Sequence, residues 1–251
     1  KEDFLAEKKY IINSVKPLGA VAYNADDSTV SGLLKDFSQK KISCGLDGEA
    51  QIRGGNFEIS YSSGKAGVVP TGMSFDIVSG GRKHFINISQ SIGLQNEYAC
   101  LLAFAVGLEL GLPAEEIAFS LNKFLAPPGR MNIVVGLKET VIIDDSYNSS
   151  PIALSQALEV FGRLNCSGKK IVVLGDMLEL GKYSADEHRK IAELLKDSIS
   201  RVISVGLRMR KVSDELLDLG FDESRIFSVD TSDSARIELI NIIETGDTIL
   251  K

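Results

Sequence analysis

Cysteine is scarce: the chain has three, Cys44, Cys100 and Cys166, an odd number and far apart. That argues against a disulfide framework. With no CxxC pair and no nearby Cys–His spacing, the thiols read as reduced, small apolar side chains rather than metal ligands or nucleophiles. No apolar run approaches the roughly 20 residues that a membrane-spanning helix needs. The opening KEDFLAEKKY is charged throughout and lacks a signal-peptide core. An excess of positive charge is missing too. Against 34 Asp and Glu there are 28 Lys and Arg, a net charge of −6, which argues against a nucleic-acid backbone or an anionic membrane as the main partner. A phosphorylated small substrate stays compatible, because one local group of Arg and Lys suffices. There is no internal repeat, no low-complexity tract and no GxxxxGK[ST] phosphate loop.

What is present suits a globular α/β protein. A length of 251 residues with 44% hydrophobic content fits one large or two modest domains. Phe4, Lys8, Ile11 and Ile12 recur at helical spacing until Pro17 and Gly19 end the pattern. Gly19–Asn24 reads as a buried strand, Ser28–Phe37 as a helix and Lys41–Gly45 as a strand. From Ala50 to Ser89 the period changes to alternation, with Gly80-Gly81 as a hairpin turn. Helices follow near Asn96–Leu110 and Ala114–Phe124, and Ala126-Pro127-Pro128-Gly129 is a linker candidate. Beyond it, strands at Thr140–Asp144, Lys170–Leu174, Arg201–Val205, Arg225–Val229 and Thr248–Leu250 alternate with helices. Ser184-Ala185-Asp186-Glu187 reads as a capping box. This is the pattern of a mainly parallel, helix-covered sheet.

The most informative stretch runs from Gly129 to Pro151, GRMNIVVGLKETVIIDDSYNSSP. An apolar strand ends in Asp144 and Asp145. Ser146, Tyr147, Asn148 and Ser149 follow, then Ser150-Pro151 as N-cap and first helical residue. Carboxylates and an amide thus stand at a strand's carboxyl end, where open α/β sheets bind ligands and helix N-termini favour anions. Taken singly, these residues have plainer readings. Arg130 is a surface Arg after a loop, Asp145 a capping acid, Asn148 a turn former, Lys8 a solvated helix Lys and His188 a semi-buried structural His.

GRMN at 129–132, IIDDSYNSSP at 142–151, and GDMLELG at 175–181 followed by His188 resemble the carboxy-terminal half of the Mur ligases. The resemblance runs over nearly all of the chain. It implies a truncated central ATPase domain (1–128), with the phosphate loop upstream of Lys1, followed by a Rossmann-like ligase domain (129–251). It also implies an ATP-dependent, ADP-forming carbon–nitrogen ligase of peptidoglycan precursor synthesis. Such an enzyme is cytoplasmic and monomeric, and joins D-alanyl-D-alanine to UDP-MurNAc-tripeptide through an acyl phosphate. The chain alone is then expected to be an inactive fragment. Arg130 would meet the nucleotide phosphates, and Asn96, Asp145 and Asn148 the nucleotide. Lys8, as a carbamate, would help hold magnesium. Ser146, Tyr147, Asn148, Ser149, Asp176, Glu179 and His188 would shape the acceptor site. Neither His is assigned as a general base.

One segment departs from the family pattern. Gly93–Ala99 aligns with a G-x-H-N-x-x-N pattern in which Asn96 keeps the first Asn. Gln95 replaces the His, and Ala99 replaces the Asn that contacts adenine in relatives. One such hydrogen bond is worth about 0.5–1.5 kcal/mol. Two other readings follow: a sister ligase of the folylpolyglutamate type, or a non-catalytic binding module derived from a ligase.

Overall fold

The computed structural model describes residues 2–64 and 67–251. Its contacts divide the chain into two compact units: 1–58, 73–88 and 94–124, and then 59–72, 89–93 and 125–251.

The first unit opens with α1 (Glu2–Asn13), β1 (Ala20–Asn24), α2 (Ser28–Leu33) and β2 (Lys40–Gly45). Three long strands follow, β3 (Ile52–Gly64), β4 (Gly67–Ser79) and β5 (Arg82–Ser89), then α3 (Leu94–Glu109) and α4 (Ala114–Leu121). The sheet order is β1-β2-β3-β4-β5, with β1, β2 and β3 mutually parallel. Alternation decides which faces are buried. Met73, Phe75 and Ile77 of β4 and Ile86 and Ile88 of β5 are at most 1% exposed, while Phe85 and Asn87 face outward. Gly80 and Gly81 both have positive φ, 55° and 78°, as a two-residue hairpin turn of the primed kind requires. Helix α2 is shorter than the sequence suggests, closing into a turn after Leu33. Asp27 caps it, accepting from Thr29 N at 2.8 Å and Val30 N at 3.2 Å. Asp26 accepts from Leu46 N at 2.6 Å and from Tyr98 Oη at 2.7 Å. The polar groups after β1 therefore hold local structure.

The second unit carries β6 (Asn132–Val135), β7 (Val141–Asp144), α5 (Pro151–Arg163), β8 (Lys170–Gly175), α6 (Ser184–Leu195) and β9 (Arg201–Val205). It ends with α7 (Arg210–Asp218), β10 (Ile226–Val229), α8 (Ser232–Ile242) and β11 (Thr248–Leu250). The sheet order is β10-β9-β8-β11-β7-β6; every neighbouring pair is parallel except β6 with β7. Strand β6 goes unrecognised in the sequence because its outward Val134 and Val135 give no alternation. Residues 59–72 belong with this unit because Tyr61 Oη accepts from Asn165 N at 3.0 Å and Ser167 Oγ accepts from Val68 N at 2.8 Å. Ser150 does cap α5, accepting from Ala153 N at 3.4 Å with Pro151 at the first position. The capping box expected at Ser184 does not form. A 3₁₀ turn at Gly181–Tyr183 leads straight into α6, so Ser184 already has helical backbone and its hydroxyl cannot cap.

All three cysteines are free, and burial raises the thiols of Cys44 and Cys100 to about 11 and about 12, so both stay protonated. Glu97, in the first turn of α3, is a buried carboxyl without compensation. It is 0% exposed, and among the described residues neither carboxyl oxygen has a partner. A Cβ on Gly54 would collide with Glu97 Oε1, so the glycine makes room for the carboxyl. Burial raises Glu97 from 4.5 to about 7. The folded chain thus holds a proton that the unfolded chain releases. The corresponding stability is full below about pH 4.5 and is lost as the pH rises to about 7. Glu97→Gln should be more stable than the parent at pH 8, on the order of 3 kcal/mol at most, and no more stable at pH 4. Thermal unfolding of both proteins at the two pH values checks this; a pH-independent difference would show that folding does not shift the Glu97 carboxyl.

Candidate functional site at the carboxyl edge of the parallel sheet

Connections β7–α5–β8, β8–α6–β9 and β9–α7–β10 all step one way across the second unit's sheet. The connection β10–α8–β11 steps back. With right-handed crossovers, α8 covers the face opposite to α5, α6 and α7, and a crevice opens where the strands' carboxyl ends diverge. A cavity of about 550 Å³ lies there. Ile142, Val173 and Ile249 of the sheet line it, with Leu154 and Ala157 of α5 and Ala235 and Leu239 of α8. Its polar lining is Asp145, Ser146, Asn148 and Ser149 after β7, Asp176 after β8, Ser232 and Arg236 of α8, and Lys251 after β11.

The turn at 129–132 positions the first of these groups. Gly129 has φ +74°, and a Cβ there would meet Tyr147 N at 2.8 Å, so only glycine fits. Its carbonyl accepts from Tyr147 N at 3.2 Å. Met131, fully buried, adopts φ +54°, which is uncommon for a non-glycine residue. Its carbonyl accepts from Ile92 N at 3.1 Å and Ser91 Oγ at 3.2 Å. Its N–H donates to the Asp145 carboxylate. Asn132 braces the turn, accepting from Arg130 N at 3.1 Å and donating to Ala126 O at 3.0 Å. Arg130 is exposed and lies over the Tyr147 ring, 4.3 Å from its centre.

The two neighbouring acids are distinguished by their surroundings. Asp144 builds the turn: Oδ1 accepts from Ser146 N at 3.2 Å and Ser146 Oγ at 2.6 Å, and stands 3.7 Å from Lys251 Nζ. Asp145 lines the cavity. Burial raises its carboxyl from 3.8 to about 6, against the opposing pull of the Met131 N–H and the Arg130 guanidinium; Asp144 adds to the rise. A half-buried acid tuned this way beside an Arg is a functional-site signature. Asn148 is exposed, its Oδ1 accepting from Ser149 N at 3.0 Å.

After β8 the groups are held by backbone contacts. Asp176 accepts from Met209 N at 2.7 Å and stands 3.5 Å from the Arg208 guanidinium. Gly206, φ +99°, makes room for it: a Cβ there would lie 2.7 Å from its carboxyl carbon. His188 is 0% exposed and does not line the cavity. Nε2 lies 3.1 Å from Met177 N and Nδ1 2.7 Å from Ser184 O. An N–H can only donate, so Nε2 accepts and Nδ1 carries the hydrogen. His188 therefore fixes the residue after Asp176 and reaches a ligand only through that segment. Glu179 is exposed, has φ +63° and is also outside the cavity lining.

Lys8 and Asn96 belong to the first unit, Lys8 exposed on α1 and Asn96 buried in the first turn of α3. A carbamate at Lys8 needs a neutral amine, which burial would favour and an exposed position does not. Among the described residues no group of three or more His, Cys, Asp or Glu could hold a metal. The residues present do not by themselves fit a magnesium site. Sequence reasoning missed Ser232, Arg236 and Lys251. Ser232, Ala235, Arg236 and Leu239 stand at the i, i+3, i+4, i+7 spacing of one helix face, but a basic residue there reads as solvated.

Residues 129–251 match the family profile described as Mur ligase, glutamate ligase domain. The UDP-N-acetylmuramoyl-tripeptide–D-alanyl-D-alanine ligase of Bacillus subtilis (strain 168) is 28% identical over 207 residues, covering 82% of this chain and 42% of that protein. That of Escherichia coli (strain K12) is 31% identical over 122 residues, 48% of this chain and 26% of that protein. The chain thus spans less than half the length of these relatives. Among solved structures, MurF ligase from Thermotoga maritima in complex with ADP aligns with a TM-score of 0.81 at 19% identity, over 99% of this chain and 53% of that one. MurF from Acinetobacter baumannii gives 0.80 at 22% identity, over 99% and 51%. At such identities the structural likeness establishes the fold.

The opposing influences on Asp145 fix how it should respond to its neighbours. Its carboxyl should titrate near pH 6; Arg130→Gln should move it upward, and Asp144→Asn downward. Carboxyl-carbon NMR of the three proteins reads this directly, and opposite shifts would mean that Asp145 does not sit between those two charges.

Proposed function

Because residues 129–251 belong to the Mur ligase family, as its glutamate ligase domain, we propose that the chain is part of an ATP-dependent ligase that adds D-alanyl-D-alanine to UDP-MurNAc-tripeptide. In this reading residues 1–128 are the later part of a central ATP-binding domain and 129–251 the ligase domain. The enzyme is a cytoplasmic monomer of peptidoglycan precursor synthesis. No helix among the described residues is long and apolar enough to cross a membrane.

A carboxylate of the tripeptide takes the γ-phosphoryl group of ATP, giving an acyl phosphate and ADP. The free amine of D-alanyl-D-alanine attacks the acyl carbon. The tetrahedral intermediate expels phosphate, the amine loses a proton, and an amide remains. The chain's own part is positioning and charge neutralisation. Arg130, held over Tyr147, offers a permanently charged fork to phosphate oxygens. Asp145, braced by the Met131 N–H, accepts from a donor on the nucleotide. Asn96 and Asn148 add polar contacts. Ser146, Tyr147, Ser149, Asp176 and Glu179 shape the acceptor side, with His188 acting through Met177. The proposal is carried by one observation: an Arg and a pKa-shifted acid are fixed together by a backbone turn beside the crevice at a parallel sheet's carboxyl edge.

Arg130→Ala in the full-length protein should lower ADP release, with both substrates present, by roughly two orders of magnitude, about what losing a charge-assisted phosphate contact costs. The unfolding midpoint should stay near that of the parent, because Arg130 is exposed. A coupled ADP-release assay checks this, and near-normal turnover would place the nucleotide elsewhere.

A further inference from the structure

Four charged side chains line the cavity: Asp145, Asp176, Arg236 and Lys251. Three are engaged by the protein. Asp145 takes the Met131 N–H and faces Arg130, Asp176 takes the Met209 N–H and faces Arg208, and Lys251 faces Asp144. Arg236 alone of the four has no hydrogen bond or ion pair among the described residues. It stands one turn after Ser232, and both face the cavity from the first turns of α8, whose N-terminal end favours negative charge. Below them Ala235 and Leu239 continue the same helix face as an apolar wall. Among the described residues the crevice therefore has one uncompensated cation, with a hydroxyl beside it and a wall suited to small alkyl groups. Across the crevice, on the side of α5, stands the Asp145–Ser149 turn.

We propose that Arg236, with Ser232 Oγ, anchors the terminal carboxylate of the acceptor dipeptide. This rests on the ligase reading above and adds its specificity-determining residue. A guanidinium matches a carboxylate with two parallel hydrogen bonds. With that end fixed on α8, the alkyl groups lie on the apolar wall and the free amine points across the crevice to the Asp145–Ser149 turn, where the activated acyl group must arrive. Acceptors are then chosen by their carboxylate, and an amidated dipeptide is rejected because Arg236 is left without its counter-charge.

The test is direct binding to the full chain, followed by amide NMR. The probes are D-alanyl-D-alanine, D-alanyl-D-alaninamide and inorganic phosphate. The dipeptide should shift signals of α8 and bind at least tenfold more tightly than the amide. Arg236→Gln should weaken the dipeptide to the level of the amide and leave the amide unchanged; Arg236→Lys should restore part of the difference. Arg236 is exposed, so neither variant should lose its fold, and the amide probe alters no protein atom. Equal binding of dipeptide and amide, no dipeptide binding, an inert Arg236→Gln, or a site that takes phosphate but not the dipeptide would each overturn the proposal. Dipeptide binding that needs Arg236, in a full-length protein that forms no ADP, would overturn the ligase reading and leave this site standing.

Discussion

The candidate site depends on one backbone feature, the left-handed turn from Gly129 to Met131. Gly129 allows the chain to pass within contact of Tyr147, and Met131 takes a conformation that most side chains avoid. What keeps Met131 there is that both of its backbone polar groups are occupied. Its carbonyl accepts from Ile92 and Ser91, and its N–H meets the Asp145 carboxylate. A buried backbone group without a partner is costly, so the turn, the acid and the 91–92 segment hold one another. Arg130 is carried on this turn, and its place over Tyr147 follows.

Around that turn the sheet separates charges by environment. Asp144 and Asp145 are neighbours in sequence, yet one closes a Ser146 turn and the other faces a cavity with a raised pKa. Asp176 is pinned by Met209 and given space by Gly206, and His188 fixes the residue that follows it. The crevice therefore keeps its shape through backbone contacts, leaving exposed side chains at its rim to meet a ligand. The first unit contains the opposite case. Glu97 is buried with room made by Gly54 and no partner among the described residues, so its carboxyl is pushed up to about 7.

Much of this was readable in the chain. The alternation of apolar runs with helical stretches beyond Gly129 states a parallel α/β sheet, because strands buried on both faces leave continuous Val and Ile runs. Ser150-Pro151 states the start of α5, and Gly80-Gly81 a hairpin, because each answers a local backbone demand. Signals that need a longer reach failed. The Ser184 capping box has the right residues but lies inside a helix extended by a 3₁₀ turn. Strand β6 pairs only because β7 lies beside it.

The sequence by itself determined the fold class, the family words and the presence of an acid pair at a strand's end, since these rest on local periodicity and spacing. Only the tertiary structure decided that Asp144 is spent on closing a turn, that His188 is enclosed, and that Arg236 is the lining charge without a partner among the described residues. Burial and charge compensation are sums over neighbours from distant parts of the chain, and no window of sequence contains them.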